Sequence, residues 1–111
     1  MRAKTGLRRV AAVGAGMTKF MRRALETPKE LTYGAAAMAL ESAQMRRRDI
    51  DSVVLGTAPD AFDGIHMNAE YLSDGAGGFG LPTLRGYVGG GTGVFSIIQG
   101  WYMIASGVFD T

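Results

Sequence analysis

Cysteine is absent from the 111-residue sequence, and histidine and tryptophan each occur once. Without cysteine the chain has no disulfide framework, no thiolate metal site and no thiol nucleophile. No apolar run is long enough to span a membrane. The apolar stretch Val10–Met17 is also too short for a secretory signal, and basic residues follow it at once. We therefore expect a cytoplasmic protein without a membrane span.

Charges nearly balance, with 12 Lys and Arg against 10 Asp and Glu. The net charge of +2 is weak support for a nucleic-acid partner, and we predict none. Eleven of the twelve basic residues lie at or before Arg48, which suits either a phosphate-bearing ligand or solvated surfaces. Of the 17 glycines, 11 lie between Gly75 and Gly107. The second half is therefore expected to contain tight turns or close backbone contacts.

The first half predicts a strand, a helix and a second strand. Leu7–Val13 contains the compact apolar group Val10–Val13 and is followed by a glycine turn, which is typical of a buried strand. Thr27-Pro28-Lys29-Glu30 combines a capping hydroxyl, a proline and a returning carboxylate, and predicts a helix from Pro28 to near Gln44 or Met45. Ser52–Thr57 is a β-branched run that predicts the second strand. Strand, helix and strand together imply a right-handed parallel crossover.

The second half predicts a loop over residues 58–65, a short helix over Met67–Leu72, a glycine-rich loop over Gly75–Pro82 and a third strand over Thr83–Val88. After a glycine cluster, Val94–Ala105 is apolar on nearly every side and predicts a helix buried all round. A chain of this length can hardly bury that helix alone. We expect residues 1–111 to be a partial domain that exposes apolar surface around Phe95, Ile98, Trp101 and Tyr102 and self-associates.

The glycine cluster between the third strand and the Val94–Ala105 helix has free amides. These could face negative charge that develops in a reaction, as in an oxyanion pocket. The residues of this cluster are Gly89, Gly90, Gly91, Thr92 and Gly93. The alternative interpretation is that these glycines only permit a sharp turn and close helix packing, and the sequence leaves both open. Neither this cluster nor Gly14-Ala15-Gly16 matches a complete nucleotide-binding motif.

Few side chains have obvious chemistry. His66 is the only histidine and lies near Asp60 and Asp63, so it is a candidate general acid or base, or else a structural histidine. Tyr71 and Tyr87 are candidate proton donors, or else buried tyrosines with satisfied hydroxyls. The spacing of these residues does not define a metal site, and we predict no metal.

Three segments resemble the amino-terminal part of thiolases, particularly the sterol-carrier-type branch. They are Val10–Phe20, Asp49–Thr57, and the Arg85 strand with its glycine turn and Ala105-Ser106-Gly107. The resemblance implies an α/β, thiolase-like fold, the amino-terminal portion of a βαβ-type layered domain. It also implies that a CoA thioester is the substrate and that no cofactor is bound.

In thiolases, a strand like Arg85–Val88 delivers a catalytic cysteine at the turn that follows. The resemblance places Gly90 at that position, where glycine cannot form a thioester. Cysteine-less members of the sterol-carrier-type branch resemble aldolases that cleave a carbon-carbon bond in a CoA thioester beside a small OB-fold and zinc-ribbon partner. The resemblance therefore implies carbon-carbon chemistry on acyl-CoA, shifted from acyl transfer toward retro-aldol cleavage.

The resemblance also implies roles for particular residues. It gives a substrate loop containing Asp60, Asp63, His66 and Met67, and a homodimer through the Thr83–Val88 strand with Arg85 and Tyr87. His66 and Tyr71 are the catalytic candidates within this chain, and the other catalytic groups would come from a carboxyl-terminal thiolase half or a companion thiolase chain. Two alternatives remain: a non-catalytic thiolase-like assembly subunit, and an acyltransferase that uses a companion chain's cysteine.

Overall fold

The computed structural model describes residues 6–57, 64 and 68–111. Its regular elements are three α-helices, two β-strands and two 3-10 turns. They are α1 (Pro28–Ala43), a 3-10 turn (Arg47–Asp49), β1 (Val53–Gly56), α2 (Asn68–Ser73), β2 (Thr83–Gly86), a second 3-10 turn (Gly89–Gly91) and α3 (Thr92–Ala105). The described part of the chain is therefore a mixed α/β structure.

Helix α1 begins where the capping motif predicts. The Thr27 hydroxyl accepts a hydrogen bond from the backbone N–H of Glu30 at 3.2 Å, and the Glu30 carboxylate accepts one from the backbone N–H of Thr27 at 2.7 Å. Pro28 occupies the first helical position, where its missing N–H costs no hydrogen bond. The helix ends at Gln44, which adopts left-handed backbone angles (φ 55°). Both predicted ends are confirmed.

The sheet has two parallel strands, and the prediction of its partners is wrong in one respect. Val53 of β1 pairs with Thr83 of β2, and the register continues to Gly56 opposite Gly86. The predicted strand over Leu7–Val13 is not formed among the described residues. The parallel connection therefore runs from β1 through α2 to β2, rather than from a first strand through α1 to β1.

The glycine turn that follows the predicted first strand, Gly14–Gly16, lies against α1. The Ser42 hydroxyl accepts a hydrogen bond from the Ala15 N–H at 2.8 Å and donates one to the Ala15 carbonyl at 3.1 Å. A Cβ on Gly16 would lie 2.6 Å from the backbone nitrogen of Ala39, and one on Gly14 would lie 2.7 Å from the Cβ of Ala43. These glycines and the alanines of α1 therefore allow the two backbones to pack closely, in place of hydrogen bonds to a neighbouring strand.

The two faces of the sheet are covered differently. On one face Leu55 packs with Ala69 and Leu72 of α2 to form the buried core. On the other face α3 lies directly over the paired glycines. A Cβ on Gly56 would clash with the Ser96 hydroxyl, and one on Gly86 would clash with the side-chain oxygen of Gln99. The order of layers is therefore α2, sheet, α3.

Helix α3 differs from its prediction in two ways. It begins at Thr92, two residues before the predicted start. It is not buried all round within this chain, because only Thr92 and Ala105 are buried, whereas Val94 is 66% and Ile97 is 74% exposed. Ile98, Trp101 and Tyr102 are also exposed, as the sequence predicts, while Phe95 is half-buried. No helix in the described residues is long and apolar enough to cross a membrane.

Residues 108–111 form no helix or strand. They contact the residues just before β1. The Thr111 carbonyl accepts hydrogen bonds from the Asp51 and Ser52 N–H groups at 3.1 and 3.2 Å, and the Asp110 side chain pairs with Arg8. The residues that follow α3 are thereby held beside the start of β1.

We predict that Thr27→Ala lowers the free energy of unfolding by about 1 kcal/mol, because the first turn of α1 loses a capping acceptor. Hydrogen bonds from Thr27, first its backbone N–H and then its hydroxyl, lower the pKa of Glu30 below 4.5. Since the folded pKa is depressed, this stabilisation is present above pH 4.5 and is lost as the pH falls through the folded value. Urea unfolding at neutral and acidic pH measures both effects. Because alanine keeps the backbone N–H that binds the Glu30 carboxylate, most of the Thr27→Ala deficit should persist in acid. Thr27→Ser is the control, and a serine variant as unstable as the alanine variant would contradict the capping role of the hydroxyl.

We predict that Gly16→Ala destabilises the chain by about 1–3 kcal/mol, because the added methyl group overlaps the backbone of α1. Gly34→Ala is the matched control. Gly34 lies inside α1, and a Cβ there would meet only the Thr18 side chain, at an ordinary 3.7 Å. We expect that control to stabilise the chain by about 0.5–1 kcal/mol, since alanine is the better helix former. Urea unfolding of both variants checks the pair, and equal effects would refute the packing.

Candidate functional site

The candidate site is the turn that joins β2 to α3. Because β1 and β2 are parallel, their carboxyl ends lie at the same edge of the sheet, and this turn begins there. Gly89 has φ +72°, a conformation that side-chain-bearing residues rarely adopt. Gly89–Gly91 then form a single 3-10 turn, and α3 starts at the next residue. The predicted order of strand, glycine turn and helix is thus observed.

Thr92 holds this turn together. Its side chain is buried, and its hydroxyl donates a hydrogen bond to the Gly89 carbonyl at 2.7 Å and accepts one from the Val88 N–H at 3.1 Å. Its own carbonyl accepts a hydrogen bond from the Ser96 hydroxyl at 2.8 Å. One threonine therefore satisfies backbone groups on both sides of the turn and fixes where α3 begins.

Backbone conformation and close packing do not require glycine at every position of the turn. Only Gly89 has a positive φ. A Cβ on Gly90 or Gly93 would find no atom within 4 Å, and one on Gly91 would make an ordinary 3.6 Å contact with Val88. Within the described residues, a sharp turn and close packing explain Gly89 but not Gly90 or Gly93. Among the described residues, none lies within 4 Å of a Cβ placed on Gly90.

Helix α3 begins next to Gly90 and Gly91, and the N–H of its first residue, Thr92, already donates to the Gly89 carbonyl. The residue before the helix, Gly91, has no side chain that can cap it. The first amides of a helix lack acceptors within the helix and carry partial positive charge, so they favour an anionic oxygen. The arrangement can therefore stabilise negative charge, but it provides no acid, base or nucleophile of its own.

A second group of polar residues lines a cleft of about 310 Å³ between α2, β2 and the glycine-rich loop. Glu70 and Ser73 line it from α2, and Thr83 and Arg85 from β2. Arg85 was predicted as a dimer-strand residue, and its half-buried side chain faces this cleft beneath α2. No sequence motif predicts this cleft. The two-residue spacing of Thr83 and Arg85, which places them on one face of β2, was the only signal.

The two candidate tyrosines are both exposed, so neither is a buried structural tyrosine in this chain. The Lys29 amino group lies 4.7 Å above the centre of the Tyr71 ring and 3.3 Å from the carboxylate of Asp74. Tyr71 therefore contacts α1. In the described part of the chain no hydrogen bond joins it to the Gly89–Gly91 turn. Tyr87 immediately follows β2, close in sequence to the turn.

The predicted substrate loop is not described by the structure. Asp60, Asp63, His66 and Met67 all lie outside the described residues. Their predicted roles as substrate-loop residues, and that of His66 as an acid or base, stay predictions. Among residues 6–57, 64 and 68–111, no group of histidine and carboxylate side chains is arranged to hold a metal ion.

No protein-family model matches this sequence, and no curated protein is significantly similar to it. The thiolase-like resemblance therefore stays a prediction that rests on the residues of this chain alone.

We predict that Thr92→Val lowers the free energy of unfolding by about 1–3 kcal/mol, because two hydrogen bonds worth about 0.5–1.5 kcal/mol each are lost, those of the hydroxyl with the Val88 N–H and the Gly89 carbonyl. Thr92→Ser keeps the hydroxyl and should retain most of the stability. Urea unfolding of the three proteins measures the difference. If serine and valine are equally destabilising, packing of the threonine methyl group against Gly56, and not the hydrogen bonds, is responsible.

Proposed function

We propose that the chain is a subunit or portion of a thiolase-like enzyme that performs carbon-carbon bond chemistry on acyl-CoA thioesters. The reaction we favour is retro-aldol cleavage, because Gly90 stands where thiolases carry their nucleophilic cysteine. Activity is expected only together with a carboxyl-terminal thiolase half or a companion thiolase chain. A small OB-fold and zinc-ribbon protein is a further expected partner.

The observation that carries this proposal is the position of Gly90 beside the start of α3, which has no side-chain cap. A Cβ at position 90 would meet no atom of the described residues within 4 Å. The amides at the start of a helix favour negative charge that develops on a carbonyl oxygen. Such a site suits a reaction that passes through an oxyanion, which is common to thioester acyl transfer and retro-aldol cleavage.

Retro-aldol cleavage would use the site as follows. A base removes the proton from the β-hydroxyl group of the substrate, a carbonyl forms at that carbon, and the bond between the α and β carbons breaks. The electron pair of that bond moves into the thioester and forms an enolate, which then takes a proton at the α carbon. The turn would stabilise the enolate oxygen, while the base, for which His66 and Tyr71 are this chain's candidates, need not lie on the turn.

A non-catalytic assembly subunit is the second candidate. The exposed apolar side of α3 favours it, because Val94 and Ile97 are mostly exposed in a helix without a single charge. A large exposed apolar surface is typical of a protein–protein contact. The two candidates differ in what they expect of a nucleophile introduced at position 90.

We predict that the Gly90→Cys variant becomes acylated when it is mixed with a short acyl-CoA, with the thiolate attacking the thioester and CoA leaving as the thiol. Wild-type protein has no cysteine, so the thioester on the variant is the only one that can form. Intact mass spectrometry follows the added acyl group over time. We expect acylation at least about tenfold faster than at a reference thiol, since the helix start stabilises the thiolate.

Tyr33→Cys supplies that reference, because Tyr33 is 65% exposed on α1 and lies outside the turn. Equal acylation rates at the two positions would reject the nucleophile-position assignment and favour the assembly subunit. Circular dichroism of both variants establishes that they remain folded.

A further inference from the structure

The two most exposed large apolar side chains of the described chain lie in residues 17–26, which we call the basic segment. Leu25 is 95% and Phe20 is 93% exposed, and Met17 and Met21 are also exposed. The basic segment connects the glycines packed on α1 to the start of that helix, and its residues form no helix or strand. Water therefore surrounds apolar side chains that the described fold leaves uncovered.

The sequence of the basic segment has the periodicity of an amphipathic helix. At about 100° per residue, its apolar side chains fall within an arc of about 140°, and its charged side chains fall within an arc of about 100° centred on the opposite side. The apolar residues are Met17, Phe20, Met21, Ala24 and Leu25, and the charged residues are Lys19, Arg22, Arg23 and Glu26. Helices shorter than about 12–15 residues hardly form alone in water. As a helix, the basic segment thus needs a surface that covers its apolar side.

The charged side of the basic segment carries mostly one sign. Lys19, Arg22 and Arg23 are accompanied by a single acidic residue, Glu26. All three basic side chains are exposed. Neither ion pair in the part of the chain that the structure describes involves them. Their charge is therefore available to an anionic surface.

We propose that the basic segment binds an anionic lipid surface and forms an amphipathic helix there. Phe20 and Leu25 enter the boundary between the headgroups and the acyl chains, where their apolar surface is removed from water. Lys19, Arg22 and Arg23 lie at the level of the acidic headgroups, which attract them. Since the lipid covers the apolar side, the helix forms on binding and opens on release.

The sign of the charge favours a lipid surface over a protein surface. A carboxyl-terminal thiolase half would also cover Phe20 and Leu25, but the charged side of a helix covered by protein faces water and can carry either sign. Three of the four charged residues in the basic segment are basic. An anionic membrane accounts for the apolar side and the basic side together. The exposed side of α3 has no charged residue and gives no such indication of its partner.

Co-sedimentation of the 111-residue chain with lipid vesicles tests the proposal. We expect binding to phosphatidylcholine vesicles that contain about one-quarter phosphatidylserine to be at least about tenfold tighter than binding to phosphatidylcholine alone, because only the former attract the cations. Added salt should weaken this binding, since salt screens the attraction. Circular dichroism should show a gain of helix with the anionic vesicles. Absence of binding to them, equal binding to both kinds, or binding without a gain of helix overturns the proposal.

The apolar contribution is tested with the double variant Phe20→Ser with Leu25→Ser, which should weaken binding to the anionic vesicles at least about tenfold. Phe79→Ser is the matched control, because Phe79 is 79% exposed and lies outside the basic segment. Side chains this exposed contribute little to the chain's own packing, and urea unfolding verifies that the variants remain folded. A double variant that binds as tightly as the control assigns the binding to another surface and overturns the proposal.

The electrostatic contribution is tested with Arg22→Glu with Arg23→Glu, which should also weaken binding at least about tenfold. Arg46→Glu with Arg48→Glu is the matched control, because these two arginines are also exposed and the net charge changes by the same amount. The control should bind more tightly than the variant of the basic segment. If both double variants lose the same affinity, the net charge of the chain attracts the vesicles, and the proposal is wrong.

Discussion

The close contact between α3 and the sheet determines the geometry of the rest of the described chain. It is possible because Gly56 and Gly86 lie opposite one another in the parallel register and neither has a side chain. With both positions empty, Ser96 and Gln99 lie directly over the strands. The helix must then start within a few residues of the end of β2, and a single glycine turn stabilised by Thr92 makes the connection.

Local signals in the sequence predicted the elements that depend on nearby residues. The Thr27 to Glu30 capping motif positioned α1 correctly, because its hydrogen bonds span only three residues. The β-branched run predicted β1, and the glycine-bounded run predicted β2, although β2 is two residues shorter than expected because it ends at Gly86. The order of strand, glycine turn and helix at the candidate site was likewise evident from the sequence.

Features that depend on distant residues were not predictable in the same way. Leu7–Val13 has the composition of a strand, but a strand also needs a neighbour, and here the small residues of α1 provide a closer packing surface for the backbone that follows it. The burial of α3 was overestimated because composition does not reveal the width of the surface that covers it. Two strands span roughly 10 Å, about the diameter of one helix, so they can cover only one of its sides. The cleft beside Arg85 depends on the position of α2 over the sheet, and no sequence motif predicts that position.

Lys29 gives α1 an electrostatic contact with α2 and the residue that follows it. Its amino group contacts both the Tyr71 ring and the Asp74 carboxylate, and all of these groups are accessible to water. Exposed ion pairs contribute little and are screened by salt. No residue of α1 is buried, whereas Leu55 of β1 packs with Ala69 and Leu72 of α2 in a buried cluster. Helix α1, with the segment packed on it, is therefore the least protected unit of the fold, and its amide protons should exchange with solvent through local opening while the sheet stays closed.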